Sequence, residues 1–114
     1  MIPPTQIVLD AIEKVESNNQ WWVVSKSGCI GLMQICPRYS SYKRSELFIP
    51  EINREEGARM LASWLRASHG NMTSALAAYR YGYSGLYGKR GRGYARIVLK
   101  IAREKWILQT KEGV

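Results

Sequence analysis

The sequence has no long apolar run, only two cysteines and a single histidine. No segment approaches the roughly 18 apolar residues that a membrane-spanning helix needs. The first residues, Met1 to Thr5, lack the basic and apolar regions of an export signal. His69, Cys29 and Cys36 show no metal-ligand spacing, and there is no CxxC pair. We therefore expect no membrane span, no signal peptide in this chain, and no metal or other cofactor.

The two cysteines are too few for a disulfide framework, although their even number leaves one disulfide open. A free cysteine behaves as a small apolar side chain and is usually buried. We therefore expect Cys29 and Cys36 to be buried free thiols, with a disulfide between them as the alternative.

Acidic residues are scarce, nine against 17 Lys and Arg, which gives a net charge of +8. The basic residues of the last third are Arg80, Lys89, Arg90, Arg92, Arg96, Lys100, Arg103, Lys105 and Lys111. Such a surface attracts polyanions. The candidates are nucleic acid and the anionic polymers of a bacterial envelope, and the charge could also serve solubility alone.

The length and composition indicate one globular domain over residues 1–114, since 114 residues with 46% apolar content can build one core. No segment alternates as a strand does, so a mainly α fold is expected. The predicted helices run from Thr5 to a last turn at Glu16, from Pro50 to His69, from Ser74 to Tyr81 and from Tyr94 to Gln109. A short helical run after Gly28 should end at Pro37, and the predicted loops are Pro37 to Ser45 and the glycine-rich Gly82 to Gly93.

The helix ends have recognisable signals. Asn18-Asn19 should end the first helix, and Gly70 the second. Asn53 is the predicted N-cap of the second helix, with Glu56 at the capping-box position. Asn71 or Thr73 should cap the third helix. His69 is interpreted as a helix-end residue and not as a catalytic base.

Glu16 is the candidate catalytic acid/base. It follows Val15 at the edge of the apolar stripe of the first helix, so its carboxyl group should lose water on one side, which would raise its pKa toward the range of a general acid. The helix C-terminus disfavours a negative charge and acts in the same direction. An exposed, functionless helix-end glutamate is the alternative.

Aromatic and amide side chains near Glu16 suggest a sugar-binding groove. Trp21-Trp22 could stack on a sugar, although core filling is the more common use of tryptophan. Gln34 could hold a hydroxyl or N-acetyl group through its amide. The tyrosines Tyr81, Tyr83 and Tyr87 in the glycine-rich loop could form a groove wall, while the glycine spacing does not match a phosphate-binding loop.

Four blocks in order resemble the lytic transglycosylases with the soluble-lytic (SLT) catalytic domain, which are relatives of goose-type lysozyme. The blocks are Glu16-Ser17 with Ser25, Gly28 and Gly31-Leu32-Met33-Gln34-Ile35; then Pro50-Glu51-Ile52-Asn53 with Gly57; then Ala75-Leu76-Ala77-Ala78-Tyr79; and then Gly93-Tyr94-Ala95-Arg96-Ile97-Val98-Leu99. The resemblance spans nearly the whole chain and implies a lysozyme-like, mainly α domain.

The resemblance also implies roles for single positions. Glu16 matches the single catalytic acid/base of the family, and Ser25, Met33, Gln34, Tyr79 and Tyr94 match positions next to the bound sugar. The chain departs from the family at Cys29, where a small alanine is usual. It departs again at Arg80, where an asparagine is usual and where a cation could bind a peptide-stem carboxylate or the envelope.

The activity implied is cleavage of the β-1,4 bond between N-acetylmuramic acid and N-acetylglucosamine in peptidoglycan. Most glycosidases use a second carboxylate, but the nearest acids, Glu13 and Asp10, lie on the same helix and are expected to be surface residues. In the family the substrate's acetamido group supports the cation, and the acid, now basic, closes a 1,6-anhydro ring. Partners other than peptidoglycan strands are not expected, and the protein is expected to be a monomer.

Three alternatives stay open. The same fold could act as a hydrolytic muramidase. The chain could be a basic nucleic-acid-binding module, which would leave the blocks around Glu16 unexplained. It could also be an inactive wall-binding descendant of the fold. The absence of further domains resembles a compact phage-type lysin, made in the host cytoplasm or carried by the particle and acting on the cell wall.

Overall fold

The computed structural model describes residues 2–112, which are mainly helical. Its elements are α1 (Thr5–Ser17), a 3-10 helix (Pro37–Tyr39), α2 (Arg44–Leu47), α3 (Pro50–Ala67), α4 (Met72–Tyr81), α5 (Tyr83–Tyr87) and α6 (Arg92–Glu112). The expected mainly α fold is therefore confirmed. In the part of the chain that is described, no helix is both long enough and apolar enough to cross a membrane.

The first helix, α1, forms because its apolar residues recur on one face. The buried apolar residues of the helix are Ile7, Val8, Leu9, Ala11 and Ile12. The helix ends because Asn18 and Asn19 adopt left-handed backbone conformations, with φ of 55° and 62°, which Asn tolerates better than most residues. The predicted end of the helix is confirmed, and Glu16 lies in its last turn.

The segment after α1 is a folded loop, and the short helix predicted after Gly28 is wrong. Ile30 and Ile35 exchange both backbone hydrogen bonds, at 2.9 and 3.0 Å, and Gly31 turns the chain between them with φ of 75°. This reversal leaves no room for a helical turn. Pro37 begins the 3-10 helix instead of ending a helix, since proline suits the first helical position. The predicted loop therefore contains that helix and the start of α2.

The second predicted helix is α3, and its C-terminal signal is confirmed. His69 and Gly70 leave the helix with φ of 53° and 83°, and the Gly70 N–H donates to the Leu65 carbonyl at 2.8 Å. The predicted N-cap is wrong. Asn53 already donates its backbone N–H to Ile49 at 2.9 Å, because the helix begins three residues earlier, at Pro50.

The last third of the chain contains three helices. α4 is capped by Asn71, whose side chain accepts the Ser74 N–H at 3.0 Å, so one of the two predicted caps is confirmed. The predicted glycine-rich loop contains α5, a helix too short for its periodicity to be visible in the sequence. α4 packs against both α5 and α6.

The Cα positions group into two compact units. The first unit consists of Met1–Ala11 with Met60–Val114, and the second consists of Ile12–Arg59. The second unit holds Glu16, Ser25, Met33 and Gln34, and the first unit holds Tyr79 and Tyr94.

Candidate active site

Glu16 is half-buried in the last turn of α1. Ser17, next to it, is 5% exposed and its hydroxyl donates to the Glu13 carbonyl at 3.0 Å. Asn18 N–H donates to the Lys14 carbonyl at 3.0 Å. The backbone that carries Glu16 is therefore fixed on both sides of the carboxylate, at the point where the chain leaves the helix.

An ion pair inside the second unit fixes this end of α1 to α3. The Arg54 guanidinium lies 2.9 Å from the Glu13 carboxylate, and both side chains are largely shielded, at 26% and 14% exposure. In the first unit, Lys105 contacts Asp10 at 2.7 Å. The expectation of a surface acid is wrong for Glu13, whose side chain is covered by Arg54, whereas the Asp10 side chain is still 30% exposed and is paired with Lys105 at the surface.

A disulfide joins Cys29 and Cys36, so the expectation of two free thiols is wrong. The paired Ile30 and Ile35 bring the residues just outside them, Cys29 and Cys36, opposite one another, with Cα atoms 4.0 Å apart. Neighbouring antiparallel positions that do not exchange hydrogen bonds approach this closely. The pairing was missed because the segment between the cysteines was interpreted as helical.

The disulfide encloses the Gly31-Leu32-Met33-Gln34 turn. Gly31 is buried and has a φ of 75°, and a Cβ there would lie 3.1 Å from the Leu47 carbonyl and 3.2 Å from the Trp21 carbonyl. Only glycine fits this position. Gln34 also has a positive φ, 54°, and its side-chain amide donates to the carbonyls of Val23 and Gly31 at 3.2 and 3.1 Å.

Ser25 lies in the same loop and is half-buried. Its Oγ accepts the Cys29 N–H at 3.1 Å and lies 3.1 Å from the Ser27 hydroxyl. The Ser25 N–H donates to the Cys29 carbonyl at 3.0 Å. The side chains of both Ser25 and Gln34 thus stabilise the loop through hydrogen bonds to its backbone.

Met33 is 0% exposed, so in this structure it supports the turn and offers no surface to a ligand. Its N–H donates to the Asn53 side chain at 2.7 Å, and its side chain packs where a Cβ at Gly57 would stand. Two α3 residues therefore hold the turn against this helix: Asn53 binds its backbone, and Gly57 leaves space for the Met33 side chain. Both residues belong to one block of the family resemblance. Because Asn53 was interpreted as the N-cap of α3, its hydrogen bonds to the turn were not predicted.

Glu56, also on α3, carries a buried carboxylate at 2% exposure. Arg59 Nε donates to it at 2.5 Å and Nη2 at 3.1 Å, and the Ser40 hydroxyl donates at 2.5 Å. The Arg59 hydrogen bond is the main reason that the pKa of Glu56 lies below its ordinary value, against the opposing effect of burial. Glu56 therefore anchors the segment after the 3-10 helix and does not cap α3.

Two tryptophans follow Glu16 in sequence, and both are exposed. Trp21 is 49% and Trp22 56% exposed, and the rings meet edge to face with centroids 5.7 Å apart. Core filling, the more common use, is therefore not their role, and stacking on a sugar stays a prediction.

In the first unit, Tyr79 is half-buried near the end of α4, and Tyr94 is half-buried in the first turn of α6. Gly91, just before α6, approaches so closely that a Cβ would lie 2.9 Å from the Ala77 Cα. This contact brings the start of α6 to the side of α4, so both tyrosines lie on adjacent packed helices.

The second unit thus contains the half-buried Glu16 carboxylate at the end of α1 and, after it in the chain, the loop that the Cys29–Cys36 disulfide closes. Such a carboxylate can give and take a proton. In residues 2–112, no group of His, Cys, Asp and Glu side chains is arranged to hold a metal ion.

The family model described as "Transglycosylase SLT domain" matches residues 4–96, a range that contains Glu16, the loop of Cys29 and Cys36, Asn53, Tyr79 and Tyr94. No solved structure matches the chain.

Proposed function

The chain belongs to the transglycosylase SLT family, whose mainly α, lysozyme-like domains degrade peptidoglycan, and from this membership we propose that it is a peptidoglycan lytic transglycosylase. Residues 1–114 would act as one catalytic domain. The bond cleaved would be the β-1,4 bond from N-acetylmuramic acid to N-acetylglucosamine, and the product would carry 1,6-anhydro-N-acetylmuramic acid.

One observation carries the assignment of Glu16 as the catalytic acid/base. This half-buried carboxylate lies in the last turn of α1, within the matched range, and the chain then enters the loop that contains Ser25 and Gln34. A partly desolvated carboxyl group on a rigid helix end can hold a proton for transfer.

In the proposed reaction, protonated Glu16 donates to the bridging oxygen as the glycosidic bond breaks. The acetamido group of the substrate stabilises the cation at the anomeric carbon. Glu16, now a carboxylate, takes the proton of the C6 hydroxyl, whose oxygen closes on the anomeric carbon. No water is consumed, and Glu16 is protonated again at the end of the cycle.

The state of the neighbouring acids supports this use of a single carboxylate. Glu13 is paired with Arg54 at 2.9 Å, and Asp10 with Lys105 at 2.7 Å. A carboxylate in an ion pair is poorly suited to trap a sugar cation, because its charge is already compensated. The muramidase alternative would require a second acid or an activated water.

We further propose that Ser25 and Gln34 of the second unit contact the sugars of the substrate, and that Tyr79 and Tyr94 of the first unit also contact them. In Gln34 both amide hydrogens are used in the loop, so the amide oxygen is the group that would accept a hydrogen bond from the substrate. Met33, which is buried, would act by holding the turn in shape. That the enzyme acts as a monomer and serves a phage in lysis or entry stays a prediction.

The test compares two variants one helical turn apart. Glu16→Gln should fold normally and lose at least about a thousandfold in the rate of sacculus clearance, the upper range for loss of acid and base catalysis in one group. Glu13→Gln, whose amide oxygen can still accept the Arg54 hydrogen bond that holds α1 to α3, should keep most of the rate. A Glu16→Gln chain that clears sacculi at the parental rate would refute the assignment.

Mass spectrometry of the soluble digest separates the two possible enzymatic reactions. Transglycosylation gives anhydromuropeptides, which are lighter by one water than the hydrolysis products. A digest that contains only reducing-end muropeptides would identify a muramidase, and the substrate-assisted mechanism would then be wrong.

A further inference from the structure

Helix α6 buries one side and leaves the opposite side to solvent. Its buried residues, Ala95, Val98, Leu99 and Ala102, recur at helical spacing, and the helix packs against α4. From Arg103 to Lys111 no residue is buried. The buried part of α6 therefore ends at Ala102, although the helix continues to Glu112.

The opposite side of α6 combines bulky aliphatic side chains with basic ones, and all of them are exposed to solvent. Successive members of the set are adjacent or lie three or four residues apart, so a helix of 3.6 residues per turn brings them to one side. The set, called here the outer face of α6, consists of Ile97, Lys100, Arg103, Ile107, Leu108 and Lys111.

The aliphatic members of the outer face are not used by the core. Ile97, Ile107 and Leu108 are 54%, 55% and 59% exposed. Single exposed apolar residues are normal on a protein surface, but here three large side chains share one side of one helix. Because water around such side chains is unfavourable, an apolar partner that covered them would be bound favourably.

The basic members of the outer face determine the charge of the partner. α6 contains six Lys and Arg against two Glu. Lys105 pairs with Asp10 at 2.7 Å and is not part of the outer face. Between Lys100 and Lys111 the sequence has one acidic residue, Glu104. A partner that covers this face must therefore be negatively charged as well as apolar.

We propose that the outer face of α6 docks on the surface of a lipid bilayer rich in anionic phospholipids. Such a surface presents phosphate headgroups to the basic side chains and acyl chains to the aliphatic ones. Lys and Arg can reach the headgroups while their own methylene groups lie beside the lipid. The helix would lie on the bilayer, still packed on α4, because no helix in residues 2–112 could cross it.

Other partners match only part of the outer face. A second copy of the chain would bring Lys100, Arg103 and Lys111 of one face against the same cations of the other, and like charges repel. A polyanion in solution, such as nucleic acid, would bind the cations but leave the aliphatic side chains in water. A bilayer surface satisfies both kinds of side chain.

The proposed docking is separate from the proposed catalysis. It uses none of the residues assigned to the reaction, and lipid vesicles contain no peptidoglycan. Docking would hold the chain beside a membrane whether or not it cleaves a glycan, so vesicle binding and muropeptide release can succeed or fail independently.

Binding is measured by cosedimentation of the full chain with vesicles of equal parts phosphatidylglycerol and phosphatidylcholine. The chain should bind these vesicles and should bind vesicles of phosphatidylcholine alone much more weakly, because each Lys or Arg near an anionic surface strengthens binding roughly fivefold. Added salt should weaken the binding, since it screens this attraction.

Variants of both kinds of side chain should weaken binding to the anionic vesicles roughly tenfold or more. The basic variant is Lys100→Gln/Arg103→Gln, and the aliphatic variant is Ile107→Ser/Leu108→Ser. Leu108→Ser alone serves where the double variant folds poorly. Glu104→Gln should strengthen binding, because it removes the one acidic side chain from among these cations.

Matched controls come from exposed positions in the second unit. Lys26→Gln/Arg38→Gln removes two exposed cations and changes the net charge by the same amount as the basic variant. Ile49→Ser removes an aliphatic side chain that is 44% exposed, as Leu108→Ser does on α6. Both controls should keep most of the vesicle affinity.

Three results with vesicles would overturn the proposal. In the first, the parent chain does not bind the anionic vesicles. In the second, the α6 variants bind as the parent does, or the controls lose as much affinity as they do. In the third, the basic variant loses affinity while both aliphatic variants keep it, which would mean general charge attraction.

Two further measurements would assign the outer face to another partner and would also overturn the proposal. One is sedimentation equilibrium without lipid, if the parent chain self-associates and Ile107→Ser/Leu108→Ser abolishes this. The other is binding of a single-stranded oligonucleotide, if it is tighter than vesicle binding and requires Lys100 and Arg103. A monomer that binds anionic vesicles through both kinds of side chain supports the proposal.

Discussion

The side-chain oxygen of Asn53 accepts the backbone N–H of Met33 at 2.7 Å. The amide nitrogen of Asn53 donates to the carbonyls of Ile30 and Leu47, at 2.7 and 2.8 Å. Asn53 is 1% exposed, so water cannot replace these partners. One α3 side chain therefore satisfies three buried backbone groups and fixes the turn that contains Gln34.

Asn53→Ala should lower the free energy of unfolding by about 2 kcal/mol or more, because a buried group left unpaired costs about 1–3 kcal/mol and the Met33 N–H and the Leu47 carbonyl lose the Asn53 partner, while the Ile30 carbonyl keeps the Ile35 N–H. Asn53→Asp should be at least as harmful, since its carboxylate would face two carbonyl oxygens. Equilibrium urea unfolding measures both changes.

The matched control is Asn71→Ala. Asn71 is exposed and makes one N-cap bond, to Ser74, so its loss should cost about 1 kcal/mol. An Asn53→Ala variant that is no less stable than Asn71→Ala would show that the three hydrogen bonds do not fix the turn.

The parts of the fold predicted correctly are those with a local signal. The stripe of α1, its end at Asn18-Asn19 and the cap at Asn71 depend on neighbours along the chain, so sequence patterns suffice for them. The position of Glu16 in the last turn follows directly from the end of α1.

The parts predicted wrongly depend on partners far along the sequence. The side chain of Asn53 was assigned to its own helix because nothing local shows that its partners lie 20 and 23 residues away. The same holds for Glu56, which bonds to Ser40. Cys29 and Cys36 are close because of one hairpin-like reversal, and a short apolar run there does not distinguish a turn from a helix.

Gly57→Ala should destabilise the protein, because the new methyl group would collide with the Met33 side chain, including its Cβ, at 3.0 Å. The expected loss is about 1–3 kcal/mol, typical of overpacking. Thermal unfolding of Gly57→Ala, Met33→Ala and the double variant gives the coupling energy between the two positions. The loss of stability in the double variant should be smaller than the sum of the losses in the two single variants.

Gly93→Ala provides the control for this prediction. Gly93 lies in α6, and among residues 2–112 no atom other than those of its chain neighbours and the nearby helix backbone lies within 4 Å of the point where an alanine methyl group would stand, so alanine should stabilise the helix by up to about 1 kcal/mol. Equal effects at Gly57 and Gly93 would contradict the tight packing of Met33 on α3.

Loss of the disulfide should loosen the loop that contains Met33 and Gln34. Cys29→Ser/Cys36→Ser should lower the free energy of unfolding by about 2 kcal/mol, as expected for so short a closed loop, and should slow sacculus clearance. Dithiothreitol should reduce the stability of the parent chain and leave that of the double variant unchanged. Detection of two free thiols in the native, untreated protein would show that Cys29 and Cys36 are not joined and would contradict these predictions.

The stability of the protein should fall in acid through Glu56. Its pKa is below the ordinary value of 4.5 in the folded state, mainly because of Arg59, so the unfolded chain binds a proton before the folded chain does. Stability from this group is therefore complete above the ordinary pKa and is lost as the pH falls through the folded pKa. Urea unfolding of Glu56→Gln between pH 3 and 6 (roughly the range of carboxyl titration) should show a smaller pH dependence than the parent. Glu55→Gln, at the exposed neighbouring position, should keep the parental dependence, and an unchanged slope in Glu56→Gln would mean that other carboxylates control acid unfolding.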